Sequence, residues 1–251
     1  MSTKAQKIYS KYGFINLKRW TIITPEEIEA LRLSAIVAST AVICSIGPGI
    51  MIGWLLSKKS GFFISILNIF VYLPLIMPPV VVGYLLLLLF SNNGPIGNLL
   101  LEIFNVSINF SWIGAALASA LVSFPLLVRA IKQGFDELDP RILDAAKIHG
   151  ATKISCFFTI TFPLMLPAIF TGITLAFARS LAEFGATITF VSNIPGETRT
   201  LPLALFAASS VPGSDYIAFR LLIISVLLAL VAIVISELLS RRTLKKSKGI
   251  S

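Results

Sequence analysis

Apolar residues in this chain fall in long uncharged runs, not at the spacing of a half-buried strand or helix. That pattern predicts membrane-crossing helices. The first run covers residues 33–56, and Gly47-Pro48-Gly49 predicts a kink within it. The second, 62–90, carries Pro74, Pro78 and Pro79. It is too long and too broken for one straight crossing, so a bent or tilted helix is expected. The third covers 110–128, and the fourth, 154–178, carries Pro163 and Pro167 as kink points. The last, 217–239, has Arg220 and Glu237 near its ends. The expected fold is all-α and polytopic, with five transmembrane helices. The apolar stretch 201–210 is too short to cross, so residues 184–210 read as a re-entrant or surface segment roofing one mouth.

Polar segments divide the chain into a basic N-terminal tail at 1–30, a membrane domain at 31–240 and a basic tail at 241–251. Within the first, Thr24-Pro25-Glu26-Glu27 reads as a capping box that launches a helix. The longest charged interruption leads into residues 139–167. Asp139 suits an N-cap and Pro140 the first helical position. The helix then runs through Ile142, Leu143, Ala145, Ala146 and Ile148 to a basic last turn with Lys147 and His149. Gly150 follows, free to take the positive φ that ends a helix. A polar helix–turn–helix between two crossings is a docking surface for something outside the membrane.

Composition supports a lipid solvent. Of 251 residues 56% are hydrophobic and 13% charged, with mean hydropathy +0.88. The net charge of +9 invites a nucleic-acid reading, which its distribution excludes. Two basic residues lie in 57–61, five in 129–153 and five from 241 onward, against none in 91–109 and three in 179–220. Alternating crossings place the three basic segments on one face, expected to be cytoplasmic. The N-terminal tail then lies outside, against the same rule. Cys44 and Cys156 sit too differently for a disulfide or metal pair. A single histidine, His149, leaves no Ser–His or Cys–His pair and no His-rich metal site, and no P-loop is present. No crossing carries the central charge of an ion-coupled relay. The chain is therefore expected to be non-catalytic, drawing its energy from another protein.

Arg179 lies 22 residues beyond Phe157, roughly 33 Å along a helix, which predicts a position at the outer boundary. Glu183, four residues later, is its expected partner.

Asp144-Ala145-Ala146 through Gly150, then nine residues, then Ile160-Thr161-Phe162-Pro163, resembles the EAA loop of permease subunits in ATP-binding-cassette importers. That loop is similar to E-A-A-x3-G-x9-I-x-L-P; here Asp144 replaces the Glu and Phe162 the Leu. Residues 73–87, 110–132 and 158–202 resemble the molybdate permeases, and 183–200 is closer to these than to sulfate permeases. The resemblance implies a homodimer, two cytoplasmic ATPase subunits that use ATP, and an extracytoplasmic binding protein delivering the oxyanion. It implies no cofactor in this chain. It also implies that Asp144, Ala145, Ala146, Gly150, Ile160 and Pro163 couple the chain to the ATPase, with Ile142, Leu143 and Ile148 as apolar anchors. Arg179, Glu183 and Arg199 are expected to form an outer gate or anion path. The alternatives are a sulfate or tungstate permease and, from another class, an ion-coupled secondary transporter.

Overall fold

A computed structural model describes residues 23–58, 60–148 and 150–247. Expectations for the N-terminal tail up to residue 22, for His149 and for the chain end beyond 247 lie outside those residues. The described residues form helices and connecting turns, with no strand among them. The first element of the described residues is α1, Pro25–Lys58. Its capping box is reciprocal: the Thr24 N–H donates to Glu27 Oε2 at 2.7 Å and the Glu27 N–H to Thr24 Oγ1 at 3.4 Å. The helix is continuous through Gly47-Pro48-Gly49, with Pro48 inside it. Neighbouring helix, not a break, meets this segment: a Cβ on Gly49 would stand 2.8 Å from Leu127 Cδ2.

The second apolar run is bent at its prolines, as expected. It forms α2, Phe62–Ile76, and α3, Pro79–Phe90, whose axes differ by 113°. Two successive prolines remove two backbone donors and push the residue before them out of the helical region. Met77 accordingly has ψ 144° and Pro78 ψ 131°. Neither piece reaches across a bilayer alone, at roughly 22 and 18 Å. A short helix, α4 (Pro95–Phe104), follows and ends at Asn105 with φ 52°. Next come α5 (Trp112–Asp136), α6 (Pro140–Ile148) and α7 (Lys153–Cys156). A π-helical turn at Phe157–Thr161 leads into α8, Phe162–Leu181. The chain closes with α9 (Gly185–Val191), α10 (Leu201–Ser209) and α11 (Asp215–Ser247).

Packing register gives each helix a direction. Along α1 and α5 contacts ascend together: Gly49 meets Leu127, and Gly53 meets Ile131 and Lys132 N. The two helices are parallel. Along α8 they descend: Gly134 meets Met165 and Ala168, Gly172 meets Leu127, and Ser180 bonds to Ser119 and Ser123. α8 is antiparallel to α5. Arg220 of α11 pairs with Glu27 at the start of α1, while Leu228 to Ile233 reach a cavity shared with Ala178 and Ala182, so α11 runs with α1. Since α1 and α5 start at the same end, the segment between them must return across the bundle. α2 and α3 together make that passage, which gives five. Lys58, Asp136, α6 and the C-terminal part of α11 share one end.

Four apolar clusters among the described residues hold the arrangement, and two are the largest. One is built from Val37, Val82, Leu86, Ala115, Val122 and Phe190 toward the starting end of α1. The other, of Val42, Leu127, Ile131, Phe135, Met165 and Ile169, lies toward the opposite end. Burying such residues contributes about 25 cal/mol per Å² where water is the alternative. Inside lipid the contribution is close packing of small residues instead. Gly83 shows the tolerance: a Cβ there would be 2.5 Å from the Ala186 carbonyl oxygen.

Candidate functional site: a loop at one end and an ion pair near the other

Residues 139–163 form the expected helix–turn–helix. Asp139 Oδ1 accepts the Arg141 N–H at 2.9 Å, satisfying one orphan donor of α6. Gly150 takes φ 82°, and nothing within 4 Å would meet a Cβ there, so glycine is needed for backbone conformation and not for space. Thr152 starts the return: its Oγ1 accepts from Ser155 N at 3.2 Å. The apolar trio is divided. Leu143 faces a cavity against the bundle, whereas Ile142 is 45% and Ile148 84% exposed. Asp144 and Ala145 are exposed and Ala146 half-buried. This leaves the α6 surface that carries them open.

The second half of the loop holds a feature the sequence did not announce. The Phe162 N–H donates to the Phe157 carbonyl, five residues back, where an α-helix would use the carbonyl of Phe158. Pro163 has no N–H to give, and a π turn immediately before it absorbs the mismatch without breaking the helix. Ile160 lies inside that turn and Pro163 opens α8. Thr159 Oγ1 donates to Ser155 O at 2.6 Å across the same turn. A proline four to five residues past a run of Phe and Thr was the available signal.

Arg179 and Glu183 are joined as expected, with Nη1 2.8 Å from Oε2. The Glu183 side chain is 1% exposed and that of Arg179 27%. Glu183 Oε1 also accepts the Ala186 N–H at 2.7 Å, so one carboxylate clamps the end of α8 to the start of α9. Met165, not Phe157, is level with the end of α5, because α7 and the π turn project beyond the bundle. Ser180 is level with Ser119 and Ser123, seven to eleven residues into α5. Arg179 therefore lies about 10–16 Å below the starting end of α5.

Above it, residues 184–210 form a roof of two short helices. α9 packs through Ala186 and Phe190 on α3 and α5, and α10 is tied to α1 by Leu201 N–H donating to Ser34 Oγ at 2.7 Å. The loop between them is fixed by its own side chains: buried Thr198 Oγ1 accepts from Ile194 N at 2.9 Å and donates to Ser192 O at 3.2 Å. Arg199 Nε donates to Asn193 Oδ1 at 3.0 Å, and its Nη1 is 4.0 Å from Glu26 Oε2. Arg199, Glu26 and Glu27 line one outer cavity of about 610 Å³. The arginine's pull on an anion is offset there by two carboxylates.

Sequence reasoning missed the pairing of Arg220 with Glu27. Arg220 Nε donates to Glu27 Oε1 at 2.7 Å, with the side chains 9% and 3% exposed. Glu27 thus serves its helix cap through one oxygen and the last helix through the other. Among the described residues no cluster of three potential metal ligands occurs.

Residues 49–245 match the family of the binding-protein-dependent transport system inner membrane component. The chain is 50% identical to the molybdenum transport system permease protein ModB of Escherichia coli and 46% to that of Haemophilus influenzae. Each match covers 88% of this chain and 96% of the relative. Identity to the sulfate transport system permease protein CysT of Salmonella typhimurium is 32%, over 83% of this chain and 76% of that one. A solved bacterial alginate ABC transporter, in complex with a periplasmic protein bound to an alginate pentasaccharide, superposes with a TM-score of 0.70. The match has 17% identity over 94% of this chain and 86% of that one.

Proposed function

From the premise that the chain belongs to the family of binding-protein-dependent transport system inner membrane components, we propose how it moves its cargo. It is the membrane permease subunit of a molybdate importer of the ABC type. The 50% identity to a molybdenum permease over nearly the whole chain carries this reading, against 32% for a sulfate permease. It is a multi-pass membrane protein and acts with a binding protein.

In the mechanism we infer, two copies enclose a path on their shared axis, since five passages are too few to line a pore alone. Two ATPase subunits sit under the end that carries α6, which is the cytoplasmic one; the basic segments 57–61 and 129–153 favour that orientation. The C-terminal tail lies on the same side. The α6 face with Asp144, Ala145 and Ala146 inserts into the ATPase, and Ile142 and Ile148 supply apolar contact. Leu143 instead braces α6 against the bundle. Gly150 sets the angle between α6 and α7. Ile160 and Pro163 then pass displacement through the π turn into α8. At the far end of α8 the Arg179–Glu183 pair links that displacement to α9, and α9 to α3. Because α3 meets α2 at a proline break, it swings with little cost to the rest. The ion pair is thereby a joint of the outer gate. Molybdate, a tetrahedral dianion, crosses a path that is polar without binding it tightly.

The selectivity test is uptake of labelled molybdate with each oxyanion as competitor. Excess molybdate and tungstate should suppress uptake while sulfate leaves it largely intact. Equal suppression by sulfate would overturn the molybdate assignment.

A further inference from the structure

We propose that the cavity between α6 and the bundle holds an anionic phospholipid. The cavity, about 570 Å³, is walled by Trp54, Phe135, Leu138, Leu143 and Phe157, with Lys58 at its edge. Its walls are the last turns of α1 and α5 together with the return limb of the loop. Lys58 is the first charge after the apolar run of α1, and Arg129, Lys132 and Asp136 follow that of α5; charge of this kind at a helix end belongs where acyl chain gives way to headgroup. Trp54, 43% exposed, is the amphipathic ring type that settles at this level. A pocket with apolar walls and one ammonium at its mouth matches an acyl chain ending in a phosphate.

Charge chooses among lipids. Segments 57–61 and 129–153 carry seven basic and four acidic residues, so the surrounding potential is positive. Asp136 is paired with Lys132 and hydrogen-bonded to Ser57 and also attracts Lys58, which among the described residues is the cation that lines the cavity itself. An ATPase side chain is a poorer occupant, because the cavity opens between α6 and the bundle while Ile142 and Ile148 lie on other faces of the helix. A lipid held there would brace Leu143 and so set the resting position of α6. This site stands whatever the cargo is.

The test uses the full chain in bilayers, with Trp20→Phe and Trp112→Phe leaving Trp54 as sole fluorophore. Brominated phosphatidylglycerol and brominated phosphatidylcholine are each titrated at low mole fraction. The lipid site predicts about fivefold stronger quenching by the anionic lipid, the preference one lysine provides near a membrane surface. Lys58→Gln should abolish that preference without changing quenching by phosphatidylcholine, which also reports an intact fold. Arg141→Gln, on the exposed face of the same loop, should leave it in place. Equal quenching by the two lipids, or a preference that survives Lys58→Gln, would overturn the proposal. A preference reduced as much by Arg141→Gln as by Lys58→Gln would overturn it too, showing only a diffuse basic surface.

Discussion

Replacing Arg179 by alanine tests whether the Arg179–Glu183 pair is a joint or an ornament. The two partners are unequal: the carboxylate is 1% exposed and the guanidinium 27%. Arg179→Ala strands a buried charge, a loss of about 3–5 kcal/mol for a fully buried pair and under about 1 for an exposed one. With one partner part-exposed, roughly 3 kcal/mol is expected. Glu183→Gln strands only an arginine that can still reach polar surroundings, and the amide oxygen still accepts from Ala186 N–H, so about 1 kcal/mol is expected. For a chain of this size roughly 2–4 °C of melting temperature accompanies each kcal/mol. Arg179→Ala should therefore lower the melting point in detergent by about 6–12 °C, and Arg179→Ala with Glu183→Gln by less than Arg179→Ala alone. In reconstituted vesicles the single variant should hydrolyse ATP with molybdate uptake reduced about tenfold, because α9 no longer follows α8. Unchanged melting for Arg179→Ala, or a double variant below it, would refute the buried-charge argument. Proportional loss of uptake and ATPase activity would refute the joint.

Other perturbations have separate readouts. Gly150→Val should abolish uptake with membrane insertion and melting unchanged. The left-handed backbone costs an L-residue about 1–2 kcal/mol and nothing in the bundle shares that strain; Gly150→Asn should retain most uptake. Arg220→Met should destabilise by about 3–5 kcal/mol by stranding buried Glu27. Adding Glu27→Gln should recover part of that, read as melting temperature. Gly83→Leu should prevent α3 from seating on α9, where the Ala186 oxygen is 2.5 Å from a Cβ, and lower the yield of monodisperse protein several-fold.

Local rules read well here because the features they concern are local. The capping box at Thr24–Glu27, the Asp139 cap, the positive φ of Gly150 and the Arg179–Glu183 pair all join residues within a turn or so, where spacing decides geometry. Features that failed to show depend on distant neighbours. Glu27 meets Arg220 across 193 positions, and no periodicity encodes that. Pro78 and Pro79 announced a bend, but its size, 113°, reflects how α3 seats on Ala186 and Phe190. Leu143 separated from Ile142 and Ile148 only once the bundle supplied a wall for one of them.

The central claim is that this chain passes molybdate inward on energy supplied by another protein. Vesicles holding the chain, its ATPase and its binding protein, loaded with ATP, measure it directly through accumulation of labelled molybdate against a gradient. The account predicts accumulation that needs all three proteins and ATP, and that is indifferent to proton and sodium gradients. Accumulation driven by either gradient with the ATPase omitted would contradict it.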